Sequence, residues 1–93
     1  MLEMKLIVHG SVQGVGYRHS IIQHIENEQN MARGYIWNKP NGEVEIVAQG
    51  TIEELKDIRR FAVTGSNHSE VREVEETITE ITEYSYDGFN IKY

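Results

Sequence analysis

The chain has 93 residues, no cysteine and a formal net charge of −6 at pH 7. This length predicts one small domain, residues 1–93, that folds without disulfides or metals. The absence of cysteine excludes disulfides, zinc–thiolate sites and cysteine nucleophiles. An acidic chain is a poor candidate for general nucleic-acid binding. Because there is neither a charged-then-apolar leader nor an apolar run of about 18 residues, we expect a soluble, cytoplasmic protein without a membrane partner.

The first predicted strand, Met4–His9, ends at a glycine-rich loop. The segment Gly10-Ser11-Val12-Gln13-Gly14-Val15-Gly16-Tyr17-Arg18 places three glycines before a helix that we predict from Tyr17 or Arg18 to Glu28. Glycines let backbone N–H groups turn inward, and the start of a helix adds further N–H groups and partial positive charge. Arg18, in the first helical turn, adds a planar cation that matches phosphate oxygens. The loop therefore predicts a small phosphate site that is neither a Walker A loop nor a dinucleotide fingerprint.

Two alternating runs around a turn predict a β-hairpin with one buried face. Residues 32–38 alternate, with Tyr35 and Trp37 on one side, and residues 43–49 alternate again. The turn between them, Lys39-Pro40-Asn41-Gly42, has Pro and Gly at positions that suit a β-turn. The face that we expect to be buried carries Val44, Ile46 and Ala48.

The second half of the chain predicts a capped helix and two further strands. Thr51 is a candidate N-cap in a capping box with Glu54, and Gly65 is a candidate stop. Val71–Thr82 is strand-like with poor alternation, and Phe89–Tyr93 reads as a short final strand. The order β-α-β-β-α-β plus a short strand predicts an α/β (α+β) ferredoxin-like sandwich. Its largely antiparallel sheet should carry both helices on one face.

The loop and the hairpin together resemble a known family. Residues 10–18 are similar to the first signature of the acylphosphatase family, Gly-x-Val-Gln-Gly-Val-x-Phe/Tyr-Arg. Gly34-Tyr35-Ile36-Trp37-Asn38, followed by residues 41–45, resembles the family's Gly-aromatic-Val-x-Asn strand and hairpin. Phe89-Asn90-Ile91-Lys92-Tyr93 resembles its Phe-x-Ile-Arg-Tyr terminus. The resemblance covers essentially the whole chain, although Trp37 stands where many members carry Lys or Arg.

The resemblance implies an enzyme that hydrolyses acyl phosphates to a carboxylate and inorganic phosphate, without a metal or cofactor. The family's catalytic arginine and asparagine fall on Arg18 and Asn38. Its phosphate-binding backbone falls on Gln13, Gly14, Val15, Gly16 and Tyr17, together with Arg18. The expected ligands are an acyl phosphate and inorganic phosphate, and the expected state is a monomer.

From the residues alone, purely structural roles and a different function both stay open. Arg18 could be a surface residue at a helix start, and Asn38 a polar residue at a strand end. An RNA-binding module shares the predicted fold and stacks bases on sheet aromatics such as Tyr35 and Trp37, but Glu43 and Glu45 would repel the RNA backbone.

The remaining rival is a non-catalytic module or a domain of a larger carbamoyl-phosphate-handling enzyme. Since the chain begins at Met1 and ends in a predicted strand, we expect a free-standing protein. The histidines share no metal-ligand spacing and are predicted to be surface or packing residues. They are His9, His19, His24 and His68.

Overall fold

The computed structural model describes every residue from Met1 to Tyr93. Its elements are β1 (Leu2–Ser11), α1 (Tyr17–Asn27), β2 (Arg33–Asn38), β3 (Val44–Gly50), α2 (Ile52–Thr64), β4 (Glu70–Glu80) and β5 (Phe89–Lys92). The predicted order is confirmed, and each boundary lies within two residues of its predicted place. Neither helix combines the length and the hydropathy that a membrane crossing requires.

The strands form one five-stranded sheet in the order β4-β1-β3-β2-β5. Every neighbouring pair is antiparallel except β2 and β5, which run parallel. In the register, Val8 pairs with Val44, and Val44 pairs with Asn38. The last residues of β1, the start of β3 and the end of β2 therefore lie at the same end of the sheet. This arrangement confirms the ferredoxin-like α+β fold.

Both helices pack on one face of the sheet, where every second strand residue is apolar. Burial of these side chains is the main favourable contribution to folding. The core of this face contains Met4, Leu6 and Val8 of β1, Val44, Ile46 and Ala48 of β3, Ile21 and Ile25 of α1, and Leu55, Ile58 and Ala62 of α2. The predicted capping box at the start of α2 is confirmed, because the Glu54 N–H donates to Thr51 Oγ1 and the Thr51 N–H donates to the Glu54 carboxylate.

The second face of β3 is buried as well, so the prediction of a single buried face is wrong for this strand. Glu45 is 8% exposed, Val47 4% and Gln49 1%. The chain between β4 and β5 passes near this face, and the Ser85 N–H donates to Gln49 Oε1 at 2.7 Å. The Tyr35 hydroxyl donates to the Glu45 carboxylate at 2.6 Å, and burial raises the pKa of that phenol. Polar pairing therefore accompanies the burial of this face.

Candidate active site

The loop between β1 and α1 is held by apolar side chains and turned by glycines. Val12 and Tyr17, at either end of the loop, are each 1% exposed, and Val15 packs against the core. The Tyr17 hydroxyl donates to the Ala62 carbonyl of α2 at 2.7 Å. Gly14 and Gly16, with φ of 73° and 78°, adopt the left-handed conformation that glycine accepts without strain. The loop is therefore fixed at both ends while its glycine backbone stays exposed.

The backbone of this loop presents a run of free hydrogen-bond donors. None of the N–H groups of residues 13–19 donates to an acceptor within the chain. Gly16 is the N-cap of α1, and no side chain caps that helix. A Cβ atom built on Gly14 or Gly16 would have no neighbour within 4 Å, so the space beside the loop is open. Such a segment can surround an anion with N–H groups at the positive end of a helix.

Arg18 adds a full positive charge to this segment. Arg18 lies in the first turn of α1 and is half-buried, and its guanidinium forms no ion pair with a carboxylate. Its central carbon lies 5.4 Å from the centroid of the Tyr93 ring, within the range of a cation–π contact. Tyr93 directly follows Lys92, which pairs with Trp37 of β2. Arg18 is thus connected through Tyr93 to the end of β2.

Asn38 is the last residue of β2 and carries a buried acceptor without a partner. Its Oδ1 atom is shielded from solvent and receives no hydrogen bond within the chain. A buried polar atom left in this state costs about 1–3 kcal/mol. A catalytic role is one explanation for such an atom, since it is free to accept a hydrogen bond from a ligand or a water.

The side chain of Gln13 links the loop to the turn that follows Asn38. Its Nε2 atom donates to the Lys39 carbonyl at 2.8 Å and to the Glu43 carbonyl at 2.9 Å. The structure therefore brings the loop, Arg18 and Asn38 to one end of the sheet. Sequence reasoning placed only the Gln13 backbone in the site. It missed the side chain because its partners are carbonyl oxygens 26 and 30 residues away.

The turn itself is stabilised by the side chain of Glu43. Asn41 Nδ2 donates to its carboxylate at 2.9 Å, and Lys39 Nζ lies 3.1 Å from the same oxygen. These hydrogen bonds lower the pKa of Glu43, with a smaller contribution from nearby positive charge. His9 Nδ1 lies 3.0 Å from the other carboxylate oxygen. The turn is therefore tied to β1 as well as to the glycine loop.

One group of side chains has the composition of a metal site. His9, Glu73 and Glu75 bring a ring nitrogen and two carboxylates within 4.8 Å of one another. Sequence spacing gave no signal for this group, because His9 meets Glu73 through the pairing of β1 with β4. The hydrogen bond to Glu75 raises the pKa of His9, and the negative charges of Glu43, Glu75 and Glu73 add to this effect while burial opposes it.

The aromatic residues of β2 already have contacts on the second face of the sheet. Lys92 Nζ lies 4.9 Å from the Tyr35 ring centroid and 5.1 Å from the Trp37 ring centroid. The Tyr86 ring packs edge-on against Tyr35 at 5.6 Å. An RNA-binding module would use such ring surfaces for stacking bases.

Comparisons with known proteins agree with the resemblance seen in the motifs. The family model described as acylphosphatase matches residues 4–91. An acylphosphatase of Bacillus licheniformis is 36% identical over 93 residues, which is 100% of both chains. The crystal structure of acylphosphatase from Bacillus subtilis superposes with a TM-score of 0.88 at 32% identity, covering 100% of both chains. An acylphosphatase structure from Coxiella burnetii gives 0.80 at 27% identity, covering 97% of this chain and 90% of that one. This chain therefore belongs to the acylphosphatase family, the acylphosphate phosphohydrolases.

Proposed function

We propose that this protein hydrolyses the carboxyl–phosphate anhydride bond of acyl phosphates without a metal ion. The loop of residues 13–18 and the Arg18 guanidinium would hold the phosphate, and Asn38 would orient the attacking water. The observation that carries this proposal is the run of N–H groups from Gln13 to His19 without acceptors, next to an arginine without an ion pair. A phosphate group bears the negative charge that both features attract.

The chemistry of the substrate explains why so few groups suffice. The leaving group is a carboxylate, whose conjugate acid has a pKa of about 4, as for Asp and Glu side chains. It departs as an anion near neutral pH, so no general acid is needed. The remaining requirements are charge stabilisation and positioning, which dominate phosphoryl transfer.

Each group then has one task in the proposed reaction. Arg18 and the loop N–H groups bind the three phosphate oxygens and stabilise the charge on them in the transition state. Asn38 Oδ1 accepts a hydrogen bond from the water and directs its oxygen to the phosphorus. The new P–O bond forms as the bond to the acyl oxygen breaks. Because an amide is not a base, the water proton passes to a phosphate oxygen of the substrate.

The molecular context belongs to the same proposal. We propose that residues 1–93 act as one acylphosphatase-like domain and as a cytoplasmic monomer, without nucleic-acid, membrane or cofactor partners. The acidic net charge of −6 supports the absence of a nucleic-acid partner.

The test is the hydrolysis of benzoyl phosphate with EDTA present, by the wild type, Asn38→Ala and the control Asn67→Ala in the exposed loop after α2. We expect the wild type to turn over at the same rate with and without EDTA. We expect Asn38→Ala to lose about 10²-fold in kcat, while its inhibition constant for phosphate changes by less than about threefold. Since its side chain makes no hydrogen bond within the chain, Asn38→Ala should melt no lower than the wild type.

Three outcomes would contradict the proposal. No hydrolysis by the wild type would refute the activity. A rate lost in EDTA and restored by a divalent cation would refute metal independence. Equal kcat in Asn38→Ala and Asn67→Ala would remove Asn38 from the site.

A further inference from the structure

The side-chain amide of Gln13 contacts two carbonyl oxygens of the turn that follows Asn38. We propose that Gln13 is a positioning residue: it sets where Asn38 lies relative to the phosphate-binding loop, and so controls kcat rather than phosphate affinity. This inference rests on the proposed function of the loop, Arg18 and Asn38. It assigns to the Gln13 side chain a role separate from that of the Gln13 backbone.

The geometry uses the full donor capacity of the amide. One nitrogen carries two hydrogens, and the two acceptors lie at 2.8 Å (Lys39 O) and 2.9 Å (Glu43 O). Each carbonyl also accepts a bond within the turn, from Gly42 N at 3.2 Å and from Lys39 N at 2.8 Å respectively. A carbonyl oxygen accepts two hydrogen bonds. Gln13 therefore joins the two sides of the turn from outside without replacing any bond of the turn.

The position of these bonds connects them to catalysis. Lys39 is the residue directly after Asn38, so its carbonyl is one peptide unit from the Asn38 backbone. Gln13 begins the run of free N–H groups that leads to Arg18. The Asn38 Oδ1 atom receives no hydrogen bond within the chain, so the backbone at the end of β2 and the groups packed around the side chain set where that oxygen lies. A displacement of about 1 Å in a positioning group can cost about 10²-fold in rate.

The turn keeps its own structure without Gln13. Lys39 and Asn41 contact the Glu43 carboxylate, and His9 reaches it from β1. The pairing of Asn38 with Val44, where β2 meets β3, closes the base of the hairpin turn. Removing the amide should therefore loosen the distance between loop and turn while the hairpin stays folded.

The experiment compares Gln13→Leu, Gln13→Glu and the control Gln23→Leu, which lies on the exposed side of α1. Substrate is benzoyl phosphate, and inorganic phosphate is the probe of the loop. For Gln13→Leu we expect kcat to fall about 10- to 100-fold, with the inhibition constant of phosphate within about threefold of the wild type. In a protein that already carries Asn38→Ala, adding Gln13→Leu should lower kcat by less than a further factor of about three, since Gln13 acts through Asn38.

The pH profile of Gln13→Glu separates positioning from general stability. An ionised carboxylate cannot donate to the two carbonyls, but the protonated acid donates one hydrogen bond. The kcat of Gln13→Glu relative to Gln13→Leu should therefore rise as the pH falls from 7 toward 5. A purely structural role would lower the melting temperature and leave this ratio constant. If Gln13→Leu does not fold, the kcat of Gln13→Glu is compared with that of the wild type instead, and this ratio should likewise rise as the pH falls.

The inference is overturned if folded Gln13→Leu keeps the kcat of Gln23→Leu. It is overturned as well if the fold-loss in kcat of the double variant equals the product of the losses of Gln13→Leu and Asn38→Ala. It is also overturned if phosphate inhibition weakens in parallel with kcat. Because the wild type is assayed under the same conditions, these failures are distinct from that of the proposed function, which would show as an inactive wild type.

Discussion

At the scale of single residues, the histidine of β1 lies in an unusually acidic environment. His9 contacts Glu43 of the turn on one ring nitrogen and faces Glu75 and Glu73 of β4 with the other. The charged imidazole is favoured by the Glu75 hydrogen bond and by the surrounding carboxylates, which raise the pKa of His9 in the folded chain. The protonation state of His9 should therefore be coupled to folding.

The coupling has a definite direction. A group whose pKa is higher in the folded state stabilises the fold fully below its unfolded pKa, which is about 6.5 for histidine. That stabilisation is lost as the pH rises through the higher, folded pKa. We expect the free energy of unfolding of the wild type, measured by urea denaturation, to fall as the pH rises above about 6.5.

In the variant His9→Gln, the free energy of unfolding should depend less on pH over the same range. The variant His68→Gln, in the exposed loop, should keep the pH dependence of the wild type. The Glu43 carboxyl does not interfere, because its pKa is lowered and it titrates at more acidic pH. Parallel curves for the wild type and His9→Gln would show that the carboxylates do not favour the charged ring.

Some residues of the candidate site could be predicted from the sequence and others could not, for a physical reason. Arg18 and the loop form one contiguous segment, so their types and order already indicate an anion site. Asn38 became a candidate only through the motif of the hairpin. The contacts of Gln13 and His9 depend on the register between distant strands, which local patterns do not contain.

At the scale of elements, the close pairing of β2 with β3 depends on a glycine. A Cβ atom at Gly34 would lie 1.8 Å from the Val47 carbonyl oxygen, a contact with backbone that no side-chain movement can relieve. Gly34 N–H also donates to the Gly88 carbonyl at 2.8 Å, next to the start of β5. The strand that ends at Asn38 is therefore held between two neighbours at this point.

The variant Gly34→Ala should lower the free energy of unfolding by roughly 3 kcal/mol or more, because the strands must separate to admit the methyl group. The matched control is Gly42→Ala in the turn. There φ is 95°, but a Cβ atom meets nothing within 4 Å, so the expected cost is only about 1–2 kcal/mol of backbone strain. Chemical denaturation measures both values. Equal losses would mean that the sheet accommodates the clash at Gly34.

The elements themselves were largely predictable, and the exceptions follow from tertiary contacts. Alternation identified β2 and β3, and the capping box identified the start of α2. β4 alternates poorly because it is an edge strand, and only Val71 and Val74 of its residues are partly buried. On the second face of β3, Gln49 is contacted by Ser85, which lies between β4 and β5 in a segment that carries no periodic signal.

At the level of the whole molecule, the sheet order explains why the residues of the candidate site lie at one end. β1 and β3 are central strands, and the loop leaves the end of β1 where β2 finishes and β3 begins. β5 adds a parallel edge strand beside β2 and brings Tyr93 to Arg18. The fold class could be predicted from the order of elements. The place of β5 in the sheet could not, since a short strand pairs with whichever edge its connection reaches.

The proposed role of Arg18 is to bind the phosphate and to stabilise its charge during hydrolysis. Its most direct test is the kcat for benzoyl phosphate of Arg18→Ala beside Arg60→Ala, an exposed arginine of α2 as the matched control. We predict a loss of about 10³-fold or more for Arg18→Ala, the value of an arginine that stabilises a phosphoryl transition state, with Arg60→Ala close to the wild type. A folded Arg18→Ala protein with the kcat of Arg60→Ala would exclude this role for Arg18.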